Sequence, residues 1–91
     1  MAKIYQLPDH VLGEKKLNGN EKVLYALIYT IAEKKKYCMG SNKLLGDILH
    51  FHRKTIQRQL ARLRDKGFIE IKIIRDIDSD EVLERRIYIK K

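Results

Sequence analysis

At Gly67 the hydrophobic period of this 91-residue chain changes from helical to alternating, and that switch limits the folds open to it. Ahead of the glycine, apolar residues recur at helical spacing in three segments. Behind it, Ile69, Ile71 and Ile73 alternate with Phe68, Glu70, Lys72 and Ile74 as in a half-buried strand. A second alternating run covers Val82 to Lys90, with Leu83, Ile87 and Ile89 on one side. The polar stretch from Asp76 to Glu81 joins the two runs as an antiparallel hairpin. The order is helix, helix, helix, strand, strand, an α+β arrangement.

The first helix opens at Asn18, with Glu21 three residues on able to bond back to the cap. Val23, Leu24, Leu27, Ile28 and Ile31 form its expected buried stripe. Tyr25 and Tyr29 sit one turn apart beside that stripe, where tyrosines flank a core with wet hydroxyls or, in the sharper reading, form a self-association surface. Gly40 breaks the chain, and Ser41 or Asn42 caps a second helix from Asn42 to about Leu49, with Leu44, Leu45, Ile48 and Leu49 as its apolar side. His50-Phe51-His52 interrupts the pattern. A third helix then runs from about Arg53 to Lys66 on a seam of Ile56, Leu60 and Leu63, and Gly67 ends it. Residues 1–17 lack a sustained period. Pro8 biases Leu7 towards extended geometry, so this segment reads as a short strand or arm, then a turn. Pairing with the hairpin would make it a third strand.

Two helices joined by a tight turn, over residues 41–66, let the second project from the body. Such a helix fits a DNA major groove, about 12 Å wide, if its outer face is polar and basic. Here the seam leaves Arg53, Lys54, Gln57, Arg58, Ala61 and Arg62 outward. From Arg53 to Lys66 there are six Lys/Arg and one acid, Asp65, whereas a merely solvated face mixes both signs. The same bias shows across the chain. Its net charge of +8 concentrates in residues 41–66, which hold seven Lys/Arg against two Asp/Glu. Arg53, Lys54, Gln57 and Arg58 are placed to read base edges, because arginine bonds guanine in pairs and glutamine bonds adenine the same way. Ser41, Asn42 and Lys43 before the turn, His52 within it and Arg62 beyond complete the expected contacts of the two helices. The hairpin would then act as a wing over residues 68–90. Its cations Lys72, Arg75, Arg85 and Arg86 face phosphate from the strand flanks, and its acidic tip stays out of the groove as a solvated turn or a guard against wrong partners. Protonation of His52 would add positive charge beside the helix.

These residues resemble the winged-helix domain at the N-terminus of replication initiators and replisome-organiser proteins of Gram-positive phages and plasmids. The likeness runs from Leu7-Pro8, Val11-Leu12 and Leu17-Asn18 through Asn20-Glu21-Lys22-Val23-Leu24-Tyr25, Lys36-Tyr37-Cys38 and Ser41-Asn42-Lys43-Leu44-Leu45. Its strongest block is Arg53-Lys54-Thr55-Ile56 with Leu60, Leu63 and Lys66-Gly67-Phe68-Ile69-Glu70-Ile71, and Arg85-Arg86-Ile87-Tyr88-Ile89 matches the last strand. The resemblance implies a winged helix-turn-helix that binds double-stranded DNA in replication initiation, with replication proteins as further partners. His52 departs from it, since the family usually has a small polar residue there. The family's initiators commonly continue into further domains, whereas this sequence ends at Lys91, as a stand-alone binder or an excised domain would. A transcriptional repressor of the same fold is the nearest rival, and a protein-interaction or homodimerisation module is a second.

Other classes lack their residues. His10, His50, His52 and Cys38 have no spacing that sets a nucleophile beside a base, so no catalysis is expected. His50, His52 and Cys38 fall short of the paired ligands of structural zinc, and no Gly-rich phosphate loop occurs, so neither metal nor cofactor is expected. One cysteine permits no internal disulfide, and no apolar run reaches the ~20 residues of a membrane helix. The expectation is one domain over residues 1–91, soluble in a bacterial cytoplasm.

Overall fold

The computed structural model describes residues 8–90. Four helices precede one hairpin: α1 (Asp9–Leu12), α2 (Gly19–Lys35), α3 (Asn42–Leu49), α4 (Arg53–Asp65), β1 (Ile69–Arg75) and β2 (Val82–Ile89). The arrangement is a winged helix. The expected N-terminal strand falls in residues 1–7, outside those described. The turn after it is the single-turn helix α1, whose Val11 is fully buried.

The capping box at the start of α2 forms as the spacing implied. The Asn18 side chain accepts from the Glu21 N–H at 2.8 Å, and the Glu21 carboxylate accepts from the Asn18 N–H at 2.9 Å. The buried face, however, is wider than the expected stripe and shifted towards Tyr25. Leu24, Leu27 and Ile28 are buried as expected, and the face extends to Glu21, Tyr25, Ala26 and Ala32, leaving Val23 41% exposed. α2 packs against α4 on one side and β2 on the other, so it needs a face wider than one apolar stripe. This corrects the reading of Tyr25 as a dimerisation residue. Its ring is fully buried, stacked on Tyr29 with centroids 6.0 Å apart and edge-on to Phe68 at 6.3 Å. Burial, with a smaller effect of Tyr29, pushes its hydroxyl pKa up to about 12. Tyr29 alone remains half-exposed.

α4 is held on the core by Ile56, Leu60 and Leu63, each 2% exposed or less. Gly67, at φ +83°, closes it with a Schellman motif: the Phe68 N–H donates to the Leu63 carbonyl and the Gly67 N–H to the Arg64 carbonyl, each at 3.0 Å. The strands pair with Ile69 opposite Ile89 and Ile71 opposite Ile87, and these residues pack on or against the core. The register shifts after Ile74, so that Leu83 has no partner on β1 and is 61% exposed, not packed with Ile87 as alternation implied. The other edge of β2 is covered by Cys38, which exchanges both backbone hydrogen bonds with Ile87 at 2.9 Å. No helix among the described residues is long and apolar enough to cross a membrane.

Candidate nucleic-acid interface

Three local decisions in residues 46–52 aim α4. Gly46 is buried against the turn, and a Cβ there would lie 2.4 Å from the Phe51 carbonyl oxygen. Only glycine lets the chain double back so closely, and the Phe51 N–H closes the turn on the Gly46 carbonyl at 2.9 Å. His50 adopts left-handed geometry at φ +60°, reversing the chain after α3. His52 then caps α4, its Nδ1 accepting from the Lys54 N–H at 3.1 Å. That bond requires a neutral ring protonated on Nε2, because an imidazolium has no acceptor.

The cations of α4 divide into two groups. Arg53, Lys54, Gln57 and Arg58 are exposed, and among the described residues their side chains make no hydrogen bond or ion pair. Those of the C-terminal half are engaged. Arg62, expected to face outward for DNA, instead sets its Nε 2.8 Å from the Glu21 carboxylate, and Lys66 Nζ lies 3.3 Å from the same carboxylate while donating to the Lys16 carbonyl. Arg64 pairs with Asp65 at 3.2 Å. Burial alone would push the Glu21 carboxyl pKa up. The Asn18 amide, Lys66 and Arg62 together outweigh it and hold the pKa below the ordinary carboxylate range. Sequence reasoning gave Glu21 only its cap; its position on the buried phase of α2 was the available signal for the rest.

Before the turn, Ser41 caps α3 by accepting from the Leu44 N–H at 3.0 Å. Lys43 is exposed in a solvated pair with Asp47 at 3.3 Å, weak enough for its head group to turn to a phosphate. Asn42 and Arg85 are placed differently from the expectation of two DNA contacts. Arg85 Nη1 donates to Asn42 Oδ1 at 2.7 Å and Nη2 to the Gly40 carbonyl at 2.5 Å. Arg85 projects from the buried face of β2, so its head group meets the start of α3 and braces the wing against the helix-turn-helix. Burial lowers its pKa, though guanidinium stays charged in protein. A cleft of about 380 Å³ opens beside this brace, lined by Asn42, Gln57, Leu60, Ala61, Arg64, Ile71 and Arg85.

The remaining wing cations also have partners. Arg86 binds Glu84 at 2.5 Å and lies 4.6 Å over the Tyr37 ring. Lys72 lies 3.5 Å from Glu70 and 5.4 Å over the Tyr88 ring, and Arg75 donates to the Asp80 carbonyl at 3.2 Å. At the tip, the Asp76 carboxylate accepts from the Asp78 N–H at 2.8 Å and the Ser79 N–H at 3.0 Å. The bond from Ser79, then that from Asp78, lowers its pKa.

A family model described as a helix-turn-helix domain matches residues 15–69, from just before α2 to the first residue of β1. No curated protein matches the sequence. Two solved structures share the fold over 98% of this chain and 75% of their own, each at 19% identity. One is described as the N-terminal domain of a DNA binding protein (TM-score 0.69), the other as the structure of a Rep–DNA complex (TM-score 0.67).

Proposed function

The chain belongs to the helix-turn-helix domain family, and from that premise we propose that it binds double-stranded DNA through the first two turns of α4. The observation that carries this reading is the division of cations along α4. The Glu21 carboxylate claims Arg62 and Lys66, whereas Arg53, Lys54, Gln57 and Arg58 make no side-chain hydrogen bond or ion pair among the described residues at the end from which recognition helices read bases. Arg53, Arg58 and Gln57 supply the base-edge donors, and Lys54, Lys43 and the Ser41 end of α3 grip the flanking phosphates. On the wing, Lys72 and Arg75 are exposed, and they add phosphate contacts at its flanks. Arg85 and Asn42 act by holding the wing and the helix-turn-helix in one register.

Within that role the protein is a replication initiator of a phage or plasmid, acting in a bacterial cytoplasm as a binding protein without catalytic chemistry. The likeness to initiator domains over most of the sequence supports this, and so does the shared fold with a protein solved as a Rep–DNA complex. Selection of bound sequences from a random duplex pool, with a single-stranded control, tests it. Enrichment of direct repeats from the duplex pool is the expected result. A palindrome would favour a dimeric repressor, and no enrichment, or preference for single strands, would overturn sequence-specific duplex binding.

A further inference from the structure

Among the described residues, two exposed apolar surfaces carry opposite charge. The first is the wing tip. Ile77 is 99% exposed, and Val82 and Leu83 beside it are 54% and 61% exposed. Residues 76–81 hold four carboxylates and no cation in a chain of net charge +8. The tip is also preformed. Besides the two bonds to the Asp76 carboxylate, the Asp76 N–H donates to the Glu81 carbonyl at 2.8 Å, so little ordering remains when Ile77 meets a partner.

The second surface is a groove at the junction of α2 and α3, lined by Ile31, Lys35, Tyr37, Met39, Gly40 and Leu44. Met39 and Leu44 are 54% and 52% exposed, Lys35 lines the groove, and its sequence neighbours Lys34 and Lys36 are exposed. None of the lining residues lies on α4, so the groove is separate from the proposed DNA-reading face.

We propose that the wing tip of one copy docks in this groove of a second copy, with Ile77 seated against Met39 and Leu44 and its carboxylates facing Lys35 and the exposed lysines next to it in sequence. Charge complementarity chooses the occupant. An apolar groove with Lys35 in its lining selects an apolar residue flanked by acids, and the chain itself presents one on a rigid projection. The two patches are distinct, so the contact is heterologous: one copy gives its tip and the other its groove. The tip of the wing thereby becomes a protein contact, consistent with a tip whose charge repels phosphate, while the cations on the strand flanks remain available to DNA.

Sedimentation velocity on the full chain, without DNA, tests the proposal over two decades of protein concentration and at low and high salt. The wild type is expected to gain mass with concentration at low salt and to lose it at high salt. Ile77→Gln, at a solvent-exposed position, and the double variant Met39→Gln with Leu44→Gln should each weaken association roughly tenfold or more, as removal of an interface anchor does. An equimolar mixture of the two variants should associate again, because an intact tip from one meets an intact groove from the other. The proposal is overturned by a wild type that stays monomeric throughout, by association unchanged in Ile77→Gln, or by a mixture no more associated than its components.

Discussion

Glu21→Gln separates the charge of Glu21 from its role as a cap. Glutamine retains an oxygen that can accept from the Asn18 N–H, now at 2.9 Å, so the capping box survives. What disappears is the negative charge at the acceptor of the 3.3 Å hydrogen bond from Lys66 and in the 2.8 Å pair with Arg62. A hydrogen bond to a charged group contributes about 1.5–3 kcal/mol. The pair with Arg62, whose side chain is 53% exposed, adds roughly 0.2–1 kcal/mol because water screens it. Burial of the carboxylate opposes both. The sign follows from the depressed pKa, since a fold that lowers a carboxyl pKa favours the ionised form. The net loss is therefore about 1–2 kcal/mol at neutral pH, and each kcal/mol lowers Tm by roughly 4–8 °C in a domain of this size. This stabilisation is present above the unfolded-state carboxyl pKa and is lost as pH falls through the lower folded value. Urea titrations of both proteins, followed by circular dichroism at neutral and then decreasing pH, should show a gap that closes in acid. Equal stability at neutral pH, or a gap that persists when both forms are uncharged, would refute the reasoning.

Leu60→Ala should cost about 2–5 kcal/mol, because the side chain is 2% exposed within the core; the urea midpoint measures it. Gly46→Ala places a methyl 2.4 Å from the Phe51 carbonyl, so the turn must open at a cost of about 1–3 kcal/mol, and an unchanged Tm would show that the turn is looser than described. His52→Asn supplies a stronger cap to α4 and should raise stability by about 0.5 kcal/mol at neutral pH. The urea midpoint measures it, and an unchanged or lower midpoint would contradict the cap geometry.

The element order was legible in the sequence because local signals agreed. Asn18 and Glu21 formed the expected capping box, α3 spans Asn42–Leu49 as its pattern indicated, and Gly67 stopped α4 at the switch of period. Side-chain placement was less legible wherever a residue's role depended on a distant segment. Tyr25 and Val23 exchange inside and outside because α2 contacts two other elements, which a one-stripe reading does not represent. Gln59, 4% exposed on α4, is invisible to a rule that places amides outside. Arg62 and Arg85 looked like free cations. Each meets a partner 41 or 43 positions away, Glu21 and Asn42, and no local pattern encodes that distance. The exposed Arg53, Lys54, Gln57 and Arg58 were legible because a helix seam fixes its opposite face without tertiary information.

The most direct test of α4 as the DNA-reading helix is a fluorescence-anisotropy titration of a selected duplex with wild-type protein and with Arg53→Ala plus Arg58→Ala, repeated at several salt concentrations. Both residues are exposed, so circular dichroism and the urea midpoint should stay unchanged. Duplex affinity should fall by roughly tenfold or more for the loss of base-edge contacts. Wild-type binding should weaken steeply with salt, with a logarithmic slope of about −0.9 for each phosphate neutralised. Undiminished affinity in a folded double variant, or wild-type binding indifferent to salt, would contradict the assignment of α4 as the helix that reads DNA.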